Sequence, residues 1–193
     1  MFEFMDSVAQ DAVIKVMGVG GGGGNAVKHM VSSGIDGVDF ICANTDAQAL
    51  TKISGTKSLQ IGCNITKGLG AGATPEVGQQ AALEDRELIQ EAIGNTDMLF
   101  ITAGMGGGTG TGSAPIVADI TKAQGGIVVA MVTFPFLLER ARIQKAEEGI
   151  EKLRKVTDTV IIIDNNRLVE LVPNLPIEQA FSVADEVIAR AVK

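Results

Sequence analysis

Six glycines fall within the nine residues Gly104 to Gly112, with Thr109 and Thr111 set between them. The apolar run Met98 to Thr102 precedes this stretch. Ser113-Ala-Pro115 follows and reads as a helix opening, with Ser at the cap and Pro in the first turn. Residues without Cβ between a strand and a helix can turn several backbone N–H groups toward one point. The helix dipole adds positive potential there. Such a loop offers the chemistry of holding phosphate oxygens. Two more stretches share this character: Gly20 to Gly24 followed by Asn25, and Gly68, Gly70 and Gly72 within Lys67 to Ala73. The three hold 14 of the 24 glycines, more than turn-making alone requires, so the phosphate reading extends to all of them.

Other chemistry is sparse. Gly18-x-Gly20-x-x-Gly23 fits the dinucleotide fingerprint, and Asp39 or Asp46 falls near the place of its ribose-binding acid. In so dense a glycine run almost any spacing can be found, and the match is unspecific. No Gly-Lys-Ser/Thr occurs in the chain, which removes the P-loop pattern. Two strand-terminal glycine loops suit a di- or triphosphate held along its length. No nucleophile triad or metal-ligand cluster is visible, and His29, the only histidine, reads as a surface helix residue. A net charge of −7 argues against a nucleic-acid surface, and 46% apolar residues indicate a globular chain. Cys42 and Cys63 lack metal spacing and, with no leader ahead of them, are expected as reduced thiols in a cytoplasmic protein. The longest apolar run, Ile127 to Leu138, is broken by Thr133 and Pro135 and is too short for a membrane span.

The elements that must position these residues alternate. Strands are expected at 12–19, 38–43, 58–61, 98–102, 127–133 and 158–163. Helices are expected at 26–33, just after Asp46, from Thr74-Pro75 to about Ile93, from Ser113 to Gln124, at 140–155 and just after Arg167. Pro173 and Pro176 bracket a turn. The last helix carries an apolar stripe of Ile177, Ala180, Phe181, Ala184, Val187, Ile188 and Ala191. This order predicts an α/β fold of three Rossmann-like layers, a mainly parallel six-stranded sheet with helices on both faces. Ligands of such folds sit at the carboxyl ends of the strands, where all three glycine loops gather. Residues 1–11 are expected as a flexible arm, 12–176 as a nucleotide-binding domain and 177–193 as the start of a long helix packed on it.

The stretches GVGGGGGNAV, NTDAQAL, KGLGAGA, AGMGGGTGTGSAP and FSVADEV, spread over nearly the whole chain, together resemble the FtsZ family, the prokaryotic relatives of tubulin. The resemblance is to the N-terminal, GTP-binding half of that family, and from about Thr133 onward it is to archaeal members. It implies a self-assembling cell-division GTPase that binds GTP or GDP, with Mg²⁺ accompanying GTP and no direct protein ligand to the metal. The matching phosphate positions are Gly20, Gly21, Gly22, Gly23, Gly24 and Asn25, then Gly104, Gly106, Gly107, Gly108, Thr109 and Gly110. Ala71, Gly72 and Ala73 match the loop that senses the γ-phosphate. Glu139 and Arg142 match ribose contacts, and Asn165, Phe181 and Asp185 match guanine contacts. Asn44, Asp46, Thr133 and Pro135 complete the nucleotide-binding candidates. Phe181 is equally explained by packing within its apolar stripe, Asp185 by a solvated helix face, and Glu139 and Arg142 by helix-end charge.

The family usually reads Pro-Phe-x-Phe-Glu-Gly after the fifth strand, where this chain has Pro135-Phe-Leu-Leu-Glu-Arg140. The resemblance further implies that hydrolysis is completed by an acidic loop, Asn-x-Asp-x-x-Asp, from a neighbouring subunit of a head-to-tail filament. No such motif occurs in residues 1–193. The chain is therefore expected to lack the C-terminal domain and to hydrolyse GTP negligibly alone. Self-association and other division proteins are the implied partners, with no nucleic acid and no direct membrane insertion. A non-enzymatic GTP-binding module, or a fragment that caps filaments, is the alternative. A nicotinamide oxidoreductase would need a substrate domain and a proton donor, and neither is visible.

Overall fold

The computed structural model describes residues 11–171 and 176–193. The expected N-terminal arm and the turn at Pro173 lie outside these residues. Six parallel strands form one sheet in the order β3-β2-β1-β4-β5-β6. They are β1 (Ile14–Val19), β2 (Asp39–Asn44), β3 (Lys57–Gln60), β4 (Met98–Gly104), β5 (Ile127–Phe134) and β6 (Thr159–Asp164). The helices are α1 (Gly20–Ser32), α2 (Ala47–Thr51), α3 (Cys63–Thr66), α4 (Pro75–Glu84), α5 (Arg86–Ile93), α6 (Thr109–Ala123), α7 (Arg140–Arg154), α8 (Asn165–Leu171) and α9 (Ile177–Val192). This is the expected three-layer α/β architecture.

Successive residues of a strand face opposite sides of the sheet, and the two sides carry separate cores. Met17, Ile41, Ile101, Ala130 and Val132 face α4 to α7, packing with Ala81, Ile93, Ala114, Val117 and Leu153. Val16, Cys42 and Met131 face the other side, against Ala26, Val27 and Met30 of α1 and Ala184, Ile188 and Ala189 of α9. The order of the strands reverses between β1 and β4, which opens a crevice at their carboxyl ends. Register brings Val19 beside Ala103, Gly104 beside Thr133, and Phe134 beside Asp164 at that end.

Three expected boundaries are corrected. The glycines from Gly20 do not form a loop ahead of a helix at Ala26; they are the first turns of α1. Within this helix Gly23 lets α1 pack closely on β4, since a Cβ there would stand 2.2 Å from the Thr102 carbonyl oxygen. Likewise α6 starts at Thr109 and not at Ser113, so Ser113 is no cap: its hydroxyl donates to the Gly78 carbonyl at 2.7 Å, tying α6 to α4. The helix expected from Pro75 to Ile93 breaks at Asp85, which leaves helical geometry (φ −106, ψ 30). Its carboxylate accepts the Gly62 N–H at 2.6 Å, and that bond draws it out of the helix.

Candidate nucleotide site

Two helices point their N-termini into the crevice. α1 begins directly after β1, and α6 begins one tight turn after β4. The first four N–H groups of a helix have no intrahelical acceptor, and the dipole makes that end positive. The two ends nearly touch: a Cβ on Gly20, whose φ is +74, would stand 2.8 Å from the Gly110 amide nitrogen. One on Gly110 would meet the Gly104 carbonyl oxygen at 2.7 Å. These glycines exist so that backbones can approach. Others differ, because a Cβ at Gly21 or Gly107 would meet nothing within 4 Å. They border open space.

That space is a cavity of about 350 Å³. Gly21, Gly22 and Asn25 line it from α1; Gly104, Gly107, Gly108, Thr109 and Gly110 line it from the β4–α6 turn. Gly72 closes one side, held by its carbonyl accepting the Gly108 N–H at 3.0 Å. Thr133, Pro135, Glu139 and Arg142 line it from β5, the connection after it and the start of α7, and Asn165, Phe181 and Asp185 from α8 and α9. Met105 and Ala184 also line it and had no distinguishing signal in the sequence.

The structure does not place the remaining candidates on the cavity wall. Gly20, Gly23 and Gly24 lie behind it, packed against other backbone or Ile53. The Asp46 carboxylate caps α2, accepting from Gln48 N–H at 2.9 Å and Ala49 N–H at 3.1 Å. Asn44 is buried and accepts the Asp46 N–H at 3.2 Å. Gly106 takes a φ of +98, and its amide donates to Thr111 Oγ1 at 2.9 Å. Ala71 is buried beside Gly108, and the Ala73 carbonyl accepts from Lys145 of α7.

Two of the lining side chains, Asn165 and Asp185, carry acceptor oxygens. Asn165 is 3% exposed, and its buried Oδ1 has no hydrogen-bond partner among the described residues. A buried acceptor left unmade costs free energy, so it invites an N–H from a ligand. Burial pushes the Asp185 carboxyl up to about 6, against the opposing field of His29 on α1. His29 itself bonds Glu186 at 2.9 Å, and Glu186 also accepts from Arg190 at 2.9 Å, joining α1 to α9. Phe181 is 46% exposed, so its place in the apolar stripe does not bury it. Phe136 props it edge to face, with ring centroids 5.4 Å apart. An exposed ring held at this angle can take a flat partner on its free face.

Among the described residues, the carboxylates that line the cavity are Glu139 and Asp185, and neither comes from the glycine turns. Glu139 is engaged by Arg142 Nη1 at 2.8 Å and by the Phe136 N–H at 3.2 Å. No group of three or more acidic, His or Cys side chains that could hold a metal occurs among the described residues. The cysteines are free thiols, Cys42 buried and Cys63 exposed, and burial raises the Cys42 thiol above its ordinary value.

A family model described as the GTPase domain of the tubulin/FtsZ family matches residues 13–173. The chain belongs to the tubulin/FtsZ family. Among cell division proteins FtsZ, that of Pseudomonas putida is 57% identical over all of this chain and 49% of its own length. FtsZ 2 of Methanocaldococcus jannaschii is 54% identical over 95% of this chain and 48% of its own. A solved FtsZ dimer from M. jannaschii superposes with a TM-score of 0.91, at 48% identity, over 95% of this chain and 54% of that one. The fold extends to CetZ2 of Haloferax volcanii, with a TM-score of 0.83 at 24% identity. The chain spans about half the length of the curated relatives it matches. Among the described residues, no helix is long and apolar enough to cross a membrane.

Proposed function

We propose that the cavity binds GTP or GDP, with the phosphates at the glycine turns, the ribose against Glu139 and Arg142, and guanine between Phe181, Asn165 and Asp185. The observation that carries this reading is that Asn165, whose buried Oδ1 has no partner among the described residues, and the Asp185 carboxylate line one cavity. Guanine presents two neighbouring donors, N1–H and the 2-amino group, where adenine presents an acceptor nitrogen and one amine. Two acceptors at the base end therefore favour guanine. The phosphates meet helix-terminal amides and no carboxylate, so Mg²⁺ would arrive on the nucleotide and be held by its phosphate oxygens.

Hydrolysis needs a group that orients and deprotonates the attacking water. Neither lining carboxylate comes from the glycine turns, and we assign water activation to an acidic loop of a neighbouring subunit. Leu69 (85% exposed) and Leu138 (89%) lie on segments that border the cavity and suit such an intersubunit contact. Head-to-tail assembly, and a part in cell division alongside other division proteins, follow from this reading. A polypeptide of these 193 residues is expected to hydrolyse GTP at no more than about 1% of the rate of a full-length relative, the scale of losing a general base. A steady-state phosphate-release assay checks it; equal rates would place the water-activating group within this chain.

A further inference from the structure

Thr45 is wholly buried, in the turn between β2 and α2, and does not line the cavity. Its hydroxyl oxygen lies 2.6 Å from Thr109 Oγ1, which does line it. Thr45 is fixed further through its carbonyl, which accepts the Gly70 N–H at 3.3 Å and shares the Thr66 hydroxyl, at 3.3 Å, with the Gly62 carbonyl at 3.0 Å. Each hydroxyl carries one proton, and the contact uses one of the two. If Thr109 donates, the Thr45 proton is left in a dry interior, where the described residues offer it no other acceptor. If Thr45 donates, the spare proton belongs to Thr109 and points to the cavity, where a ligand oxygen can accept it. A buried donor without a partner is the costlier arrangement.

We infer that Thr45 is a positioning residue whose hydroxyl donates to Thr109 Oγ1 and thereby commits the Thr109 proton to a phosphate oxygen. The inference rests on the phosphate assignment above. Because Thr45 also holds the strand of chain leading to Ala71 and Gly72, it ties that loop to the same hydroxyl pair.

The test is calorimetric titration of wild type, Thr45→Val and Thr45→Ser with GDP and with guanosine, which lacks the phosphates. Thr45→Val is expected to weaken GDP binding about threefold to fivefold, because Thr109 Oγ1 loses the donor that fixes its rotor and its proton is free to turn from the phosphate, and Thr45→Ser to stay within about twofold. Guanosine affinity should be equal in all three. In a Thr109→Val background, Thr45→Val should cost nothing more. Unchanged GDP binding in Thr45→Val, or equal loss for GDP and guanosine, overturns the inference and leaves the phosphate assignment standing. Absence of GDP binding in wild type removes both. If Thr45→Val does not fold, a neutron structure of the wild-type GDP complex reads the donor directly: a deuteron on Thr45 aimed at Thr109 supports the inference, and the reverse direction overturns it.

Discussion

Replacing Asp185 with alanine is expected to weaken GDP binding about 100-fold, the scale of two hydrogen bonds to a charged acceptor. The same change should raise the melting temperature of the nucleotide-free chain by roughly 3 °C. The two effects have one cause. Burial at the end of the cavity makes the charged carboxylate costly and lifts its pKa to about 6 from an ordinary 3.8. A ligand offering two N–H donors offsets that cost; without the ligand the folded chain bears it. His29 partly relieves Asp185, but is itself engaged by Glu186, which Arg190 also holds. The sign follows from proton linkage. The folded chain binds the Asp185 proton more tightly than the unfolded chain, so this group's contribution to stability falls as pH rises from about 4 to about 6, then stays level. Nucleotide affinity runs the other way, rising through pH 6 as the acceptor ionises. Calorimetric titrations at pH 5.5 and 7.5, with melts of the free protein, check both. A variant that loses affinity and also stability at pH 7.5 would mean that Asp185 supports the fold and is not a strained ligand contact.

The glycines should divide into two classes with opposite consequences. At Gly112 a Cβ would stand 1.9 Å from the Pro75 carbonyl oxygen, between α6 and α4. Neither backbone can yield without separating the helices. Gly112→Ala is expected to cost about 3 kcal/mol or more, a melting-temperature drop of roughly 10 °C. At Gly107 a Cβ meets nothing within 4 Å, and the position needs no positive φ. Gly107→Ala should melt within about 2 °C of the parent, since alanine at a compatible site even restricts the unfolded chain. Its methyl group, however, enters the space assigned to phosphate, and GDP affinity should fall about tenfold or more. Thermal melts and titrations of the two variants settle the division. Equal destabilisation by both would mean that Gly107 serves the fold alone.

This division is also what the sequence could not display. A count of glycines makes the three stretches look like phosphate loops throughout, yet Gly23, Gly110 and Gly112 are small because backbone lies against them. That distinction depends on partners far along the chain, Thr102, Gly104 and Pro75. The sheet itself was legible, because every strand but β3 (Lys57–Gln60) is a short apolar run followed by turn residues, and parallel order follows from alternation with helices. Helix starts were less so: Ser113 and Pro115 mimic a cap and first turn, while α6 begins at Thr109. Asp46 illustrates the limit for single residues. Its motif suggested a ligand contact, and the structure shows one of its carboxylate oxygens capping the first turn of α2, which no spacing announces. Phe181 shows the converse, since periodicity placed it in the core and only Phe136 and the β5–α7 connection fix its ring at the cavity. The unpartnered Asn165 Oδ1 could not be read from sequence, because an orphaned acceptor is a property of surroundings.

We propose that the cavity lined by the glycine turns and by Asn165, Phe181 and Asp185 selects a guanine nucleotide. Calorimetric titration of the nucleotide-free chain with GTP, GDP, ATP and NAD tests it most directly. GTP and GDP are expected to bind tightly at one site per chain, with ATP and NAD weaker by about 100-fold or more. Equal affinity for ATP, or preference for NAD, would contradict the assignment of the base end and with it the function proposed for the cavity.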